Sequence, residues 1–239
     1  MIAAFFDIDG TIYRNSLLIE HFKKLIKYEL VDITKYEECV KTSFKLWDER
    51  KGDYDDYLLD LTETYVSVIA GLSVQYNNFI ADRVVDLKGD RVYRYTRDRI
   101  DWHLNEGHVV IFISGSPDFL VERMAKKMNV TDFAGSTYIF KDDKLTGEVL
   151  PMWDTPNKIK AINHFCQKYN IDLDKSYAYG DTNGDFGMFT LVGNPKAVNP
   201  SKELIHNIKS DNNLKNRCEI IIERKDVIYH LSPSDIDVE

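Results

Sequence analysis

Short apolar runs recur along the chain, and each gives way to a polar turn. Ile2-Ala3-Ala4-Phe5-Phe6 leads into Asp7-Ile8-Asp9-Gly10, and Val109-Val110-Ile111-Phe112-Ile113 leads into Ser114-Gly115-Ser116-Pro117. Ser176-Tyr177-Ala178-Tyr179 leads into Gly180-Asp181-Thr182-Asn183-Gly184-Asp185, and Lys196-Ala197-Val198 leads into Asn199-Pro200. Runs without a polar face are the pattern of strands covered on both sides. Helical periodicity separates them, over 118–128, 157–169 and 185–191. Strand-helix-strand alternation predicts an α/β fold built on a parallel, doubly wound sheet, with ligands outside the carboxyl ends of its strands. The polar turns all fall at those ends, so they are expected to converge.

Residues 15–100 break this rhythm. They hold no buried-strand run and read as helices over 17–28, 34–48, 54–69 and 76–87, an all-helical insertion suited to a lid. The expected division is therefore a core of 1–14 and 101–239 with a helical domain of 15–100. A charged turn at Lys141-Asp142-Asp143-Lys144 between apolar, β-branched flanks predicts a hairpin. The tail Cys218-Glu219-Ile220-Ile221-Ile222-Glu223 reads as an edge strand.

The 239 residues are 44% hydrophobic, enough for a sizeable core. A formal charge of −8 argues against a nucleic-acid partner, which needs a concentrated basic face. Cys39, Cys166 and Cys218 are unclustered and read as reduced thiols, and no long apolar stretch or leader stands out, so the expectation is a cytoplasmic protein without a membrane span. The histidines show no zinc-ligand spacing, and His21 falls on an amphipathic helix as a packing residue. Trp47, Tyr54, Tyr57, Tyr65 and Tyr76 fit the core of the insertion. Trp153, Arg14 and Asn15 lie where a cleft or hinge would be. Oligomeric state is not written in the sequence.

The polar turns carry the chemistry. On an extended strand Asp7 and Asp9 emerge on one side, about 6.6 Å apart. Two such acids are costly to hold unless a cation answers them. Asp7 is placed to act as a carboxylate nucleophile on phosphorus, and Asp9 to protonate the leaving oxygen and then to activate water. Mg²⁺ suits one or two carboxylates plus substrate oxygens, and Asp181 and Asp185 are the further acids. Thr11, Ser114, Gly115 and Lys158 are the candidates for holding phosphoryl oxygens.

In this arrangement the chain resembles the haloacid dehalogenase superfamily, subfamily IB, nearest its phosphoserine-phosphatase-like branch. Asp7-Ile8-Asp9-Gly10-Thr11 is similar to the first motif, Ile113-Ser114-Gly115 to the second, Lys158 to the third, and Gly180-Asp181-Thr182-Asn183-Gly184-Asp185 to the fourth. The helical insertion resembles a type 1 cap. The resemblance spans essentially the whole chain. It implies a Mg²⁺-dependent phosphatase of a small phosphorylated metabolite, with Asp7, the Ile8 carbonyl and Asp181 as metal ligands and Asp185 close behind. Two departures bear on substrate. Ser16 stands where phosphoserine phosphatases carry a Glu for the substrate ammonium, and no Arg lies between Gly52 and Asp82 to grip a carboxylate. Phosphoserine is therefore disfavoured, and an amino-alcohol or sugar phosphate is expected. Gly184 also replaces the usual Asn before the last Asp, leaving Asn183 as a substitute donor. Two alternatives stand beside hydrolysis. One is phosphoryl transfer to an alcohol; the other is a phospho-acceptor signalling module, which the length and the helical insertion disfavour. A glycosidase would use paired carboxylates but leaves Lys158 and Asp181–Asp185 without a task.

Overall fold

A computed structural model describes residues 1–237, the side chain of Asp55 excepted. The apolar runs become strands β1 (Ala3–Phe6), β2 (Val109–Pro117), β3 (Asp132–Lys141), β4 (Lys144–Leu150), β5 (Tyr177–Gly180), β6 (Asn194–Val198), β7 (Glu219–Arg224) and β8 (Val227–Leu231). They form one sheet in the order β4-β3-β2-β1-β5-β6-β7-β8. The six strands from β3 to β7 run parallel, and β4 and β8 close the two edges as antiparallel hairpin arms. From β1 the chain builds outward through β2 and β3, then returns to β5 on the other side of β1. The order reverses there, which places the crevice outside the carboxyl ends of β1 and β5.

The absence of polar alternation in these strands has a simple cause. Ala4 and Phe6 of β1 join one core with Val110, Phe112 and Tyr179, while Ala3 and Phe5 join a second with Ile111, Ile113 and Ala178. Helices cover both faces, so both sets of side chains are buried. The first core is completed by α1 (Leu17–Lys27), α2 (Ile33–Cys39), α3 (Lys41–Asp48), α4 (Tyr54–Ile69), α5 (Val74–Lys88), α6 (Arg94–Asn105) and α7 (Asp118–Lys127). The second is closed by α8 (Thr155–Tyr169), α9 (Phe186–Leu191), α10 (Lys202–Ser210) and α11 (Leu214–Arg217).

The helical insertion leaves and re-enters through two paired segments. Tyr13 and Val92 form an antiparallel bridge, the Arg14 amide donates to the Arg91 carbonyl at 2.9 Å, and the Tyr93 amide donates to the Ile12 carbonyl at 2.8 Å. Beyond them α6 belongs to the sheet. Glu223 of β7 accepts the first-turn amides of Arg94 and Tyr95, Thr96 donates to the Thr11 carbonyl, and His103 bonds the Tyr179 hydroxyl at 2.9 Å. We therefore propose that the division falls at 12–14 and 91–93, with α6 in the core, instead of at residue 100. The insertion also docks on the β4 edge. The Gly71 amide donates to Leu145, Leu145 to Leu72, and Val74 to Asp143, at 2.8 to 2.9 Å. These bonds cover what would otherwise be an exposed strand edge.

Three expected elements differ in detail. The helix over 34–48 breaks at Val40, which is fully buried and serves as both the end of α2 and the start of α3. The tail strand, β7, is interior, because β8 folds back outside it. The first arm of the hairpin begins at Asp132, where it pairs with β2, and its loop residues Asp142 and Asp143 both take positive φ, the conformation that a two-residue hairpin loop requires.

Phe6 fixes the strand that carries the acids. Its ring is fully buried and stacks on Tyr179 with centroids 4.1 Å apart. Phe6→Ala is expected to cost about 3–5 kcal/mol of unfolding free energy, read from the urea midpoint at unchanged slope.

Candidate active site

Each acid reaches the crevice for a local reason. Asp7 follows β1, and its amide donates to the Tyr179 carbonyl at 2.9 Å, so the carboxylate is fixed against β5. Gly10 turns the chain at φ +82°, and a Cβ there would lie 2.0 Å from Asp181 Oδ2. The Asp181 carboxylate occupies the space that any other residue would fill. Lys158 lies on α8 in the stripe shared by Ala161, Ile162 and Phe165, the face turned to the sheet. Asp154 caps that helix through the Asn157 amide at 2.8 Å and sets where its first turn begins.

The resulting network is tight. Lys158 Nζ lies 2.7 Å from Asp7 Oδ1 and 2.5 Å from Asp185 Oδ1, with all three side chains almost wholly buried. Asp185 Oδ2 accepts the amides of Asp181 and Thr182 at 3.0 and 3.1 Å, which pins the loop. Asp181 Oδ1 accepts the Thr11 hydroxyl at 2.9 Å. Carboxylate oxygens of Asp7, Asp181 and Asp185 all lie within 4.8 Å of one another. Ser114 is fully buried at the end of β2, its Oγ accepting the Ser116 amide at 3.2 Å.

The electrostatics are unbalanced. Burial pushes Asp7 well above the usual carboxylate range against the pull of Lys158, and the charges of Asp185 and Asp9 add to the rise. Burial, then Asp7 and Asp185, push Asp181 up in the same way. Asp9 is also raised by burial, with hydrogen bonds from Ser116, Leu17 and Ser16 opposing. Burial works against the Lys158 charge, but Asp185 and Asp7 outweigh it and hold the ammonium above its ordinary range. One ammonium thus answers four carboxylates. A divalent cation among hard oxygen donors is the group that such a set fits.

The geometry gives several of the expected site groups other partners. The Ile8 carbonyl, expected as a metal ligand, accepts the amides of Ile12 and Tyr13 at 2.8 Å and that of Thr11 at 3.3 Å, closing the turn after Asp7. The single hydroxyl proton of Thr11 goes to Asp181, so Thr11 steadies an acid instead of holding a phosphoryl oxygen. The amide of Asn183 is spent on Glu203 and Asn207. Gly184 has no room for the usual Asn, because a Cβ there would lie 2.5 Å from the Trp153 carbonyl. Trp153 does border the loops, with its Cβ 2.9 Å from where a side chain on Gly115 would begin. His21 is buried and bonded to Tyr65 at 2.9 Å, and burial drops its imidazole to about 3, a neutral packing role.

Two further groups went unread in the sequence. Ser116 donates to Asp9 at 2.5 Å, and Ser136 of β3 donates to the Gly115 carbonyl while accepting the Met152 amide. The doubled serine of Ser114-Gly115-Ser116 was the available signal for the first. Nothing near Ser136 marks the second.

Known proteins resemble this chain in sequence and in fold. The family model described as haloacid dehalogenase-like hydrolase matches residues 4–190. The chain belongs to the haloacid dehalogenase-like hydrolases. It is 27% identical over 205 residues to the inhibition of morphological differentiation protein of Streptomyces azureus, covering 84% of this chain and 73% of that one. It is 27% identical over 204 residues to a probable phosphatase of Mycobacterium tuberculosis, covering 84% and 70%. A solved phosphoserine phosphatase carrying a phospho-aspartyl intermediate analogue shares the fold at a TM-score of 0.63, with 22% identity and 94% of each chain covered. Among the described residues of this chain, no helix is long and apolar enough to cross a membrane.

The crowding of like charge generates a test. Removing one carboxylate should relieve repulsion, so metal-free Asp181→Asn is expected to be more stable than the parent by about 1 kcal/mol. Differential scanning calorimetry should also show Mg²⁺ raising the melting temperature of the parent and leaving the variant unmoved.

Proposed function

We propose that this chain is a Mg²⁺-dependent phosphatase of small phosphomonoesters, working through a covalent aspartyl-phosphate on Asp7. The observation that carries the reading is the Asp7 carboxylate, almost wholly buried, directed by Lys158 at 2.7 Å and adjoined by Asp181 and Asp185. Asp7 and Asp181 would hold the ion. Asp185 backs them, since both its oxygens are engaged by Lys158 and by the loop amides. A bound Mg²⁺ would offset the negative charge that otherwise repels a phosphate dianion.

The reaction then follows from the chain's own groups. An Asp7 oxygen forms a bond to phosphorus as the bond to the leaving oxygen breaks, and Asp9 gives that oxygen its proton. Water next attacks the phosphorus of the aspartyl-phosphate. Asp9, now a carboxylate, takes the water proton, and the bond to Asp7 breaks to release inorganic phosphate. Lys158 and the amides beyond Asp7 and Ser114 hold the phosphoryl oxygens as charge redistributes. Ser16 is engaged with Asp9, and no Arg lies between Gly52 and Asp82, so a phosphoserine zwitterion finds neither charge answered there. A phosphorylated alcohol is the better match.

Phosphate release from p-nitrophenyl phosphate tests the reading. Activity should require Mg²⁺, return on metal addition after chelation, and fall on the order of 10³-fold or more in Asp7→Asn. Full turnover by Asp7→Asn would refute it.

A further inference from the structure

Asp9 is held from two directions. From the core, Ser116 at the end of β2 donates its hydroxyl to Asp9 Oδ2 at 2.5 Å. From the insertion, Ser16 donates to the same oxygen at 3.2 Å, and the Leu17 amide donates to Oδ1 at 2.9 Å. Ser16 and Leu17 are the cap and first residue of α1, the helix that opens the insertion. Both serines are 2% exposed and fixed in turn. The Ser116 amide donates to Ser114 Oγ at 3.2 Å, and the Ser16 amide donates to Asn15 Oδ1 at 2.9 Å.

We propose that Ser116 and Ser16 are positioning residues that aim the Asp9 carboxyl at the leaving-group oxygen, with the first turn of α1 making that aim depend on the seating of the insertion. The proposal rests on Asp9 acting as the acid of the phosphatase reaction, and the physical need is plain. A general acid works only within hydrogen-bond reach of the atom that it protonates, and an aspartate has two torsions with which to miss. Hydrogen bonds to a charged acceptor are about twice as strong as neutral ones, and a helix amino terminus adds its favourable field. Three donors on two oxygens therefore select one orientation. Two belong to the insertion and one to the core, so that orientation is complete only when α1 sits where it does here.

Leaving-group dependence separates this role from general support of the fold. Departure of p-nitrophenolate needs little help from an acid, whereas departure of an alkoxide needs a proton. The readout is the ratio of kcat/KM for an alkyl phosphate, such as glycerol phosphate, to that for p-nitrophenyl phosphate, measured with Mg²⁺. Ser116→Ala is expected to lower this ratio on the order of tenfold or more, mainly through kcat, and Ser16→Ala to lower it by less. Ser16→Thr keeps the hydroxyl and should restore the ratio. In an Asp9→Asn background Ser116→Ala should change the ratio no further, because there is no acid left to aim. An equal fall on both esters, an unchanged ratio in both alanine variants, or additivity with Asp9→Asn would overturn the proposal. A parent enzyme inactive on both esters would instead overturn the phosphatase reading on which it rests.

Discussion

Four carboxylates crowd the carboxyl ends of two adjacent strands, and a single buried ammonium stands among them. The rest of the site is organised by that imbalance. Lys158 binds Asp7 and Asp185 together, Asp185 holds the 181–182 amides, and Asp181 fits only because Gly10 lacks a side chain. Buried ion pairs of this kind are weak sources of stability, since desolvation consumes most of the Coulomb gain. Apolar residues of equal volume would pack the crevice at less cost. The arrangement is stabilised instead by its surroundings, two cores that clamp β1 from opposite faces and leave its end no freedom to relax.

How much of this was legible in the sequence depends on whether a signal was local. The strands that carry the acids were plain, because burial on both faces writes itself as unbroken apolar runs. Asp7, Asp181, Asp185 and Lys158 were singled out by motif and order, and the structure brings them together. Helix α6 was not, because much of its buried face is polar: Thr96 and His103 are wholly buried and hydrogen-bonded to Thr11 and Tyr179. A hydrophobic periodicity cannot reveal a stripe satisfied by hydrogen bonds. The break at Val40 is likewise silent, since neither glycine nor proline marks it and only burial in the insertion explains it. The engagement of the Ile8 carbonyl was hidden for a related reason. Side-chain motifs say nothing of where backbone oxygens point, and this one turns into the loop that it closes.

The departures from relatives take on a physical sense once the packing is known. Gly184 is small because the Trp153 carbonyl occupies the space beside it, and Trp153 in turn rests against Gly115, so two of the polar turns are spaced by one tryptophan. Ser16 stands at the point where α1 meets Asp9. A glutamate there would set a further negative charge beside the Asp9 carboxyl, which burial already raises, a rise that the Lys158 ammonium opposes least of the groups around it. The hydroxyl of Ser16 instead supplies a neutral donor to that carboxyl.

The insertion is joined to the core by unequal connections. At 12–14 and 91–93 the chain itself crosses, and two backbone hydrogen bonds pair the crossing strands. Along β4 the contact is made by three backbone hydrogen bonds without a covalent link, each contributing a net of about 0.5–1.5 kcal/mol. Any separation of the two parts must therefore pivot at the crossing and part both at β4 and at α7, where Arg123 bonds Asp82 at 2.6 Å. The crossing lies directly after Asp9, and the helix that follows it supplies two of the three donors on that carboxylate. A displacement small enough to leave every core contact intact would still alter the hydrogen bonds on Asp9, because donors at 2.9 and 3.2 Å have little distance to lose before they cease to count.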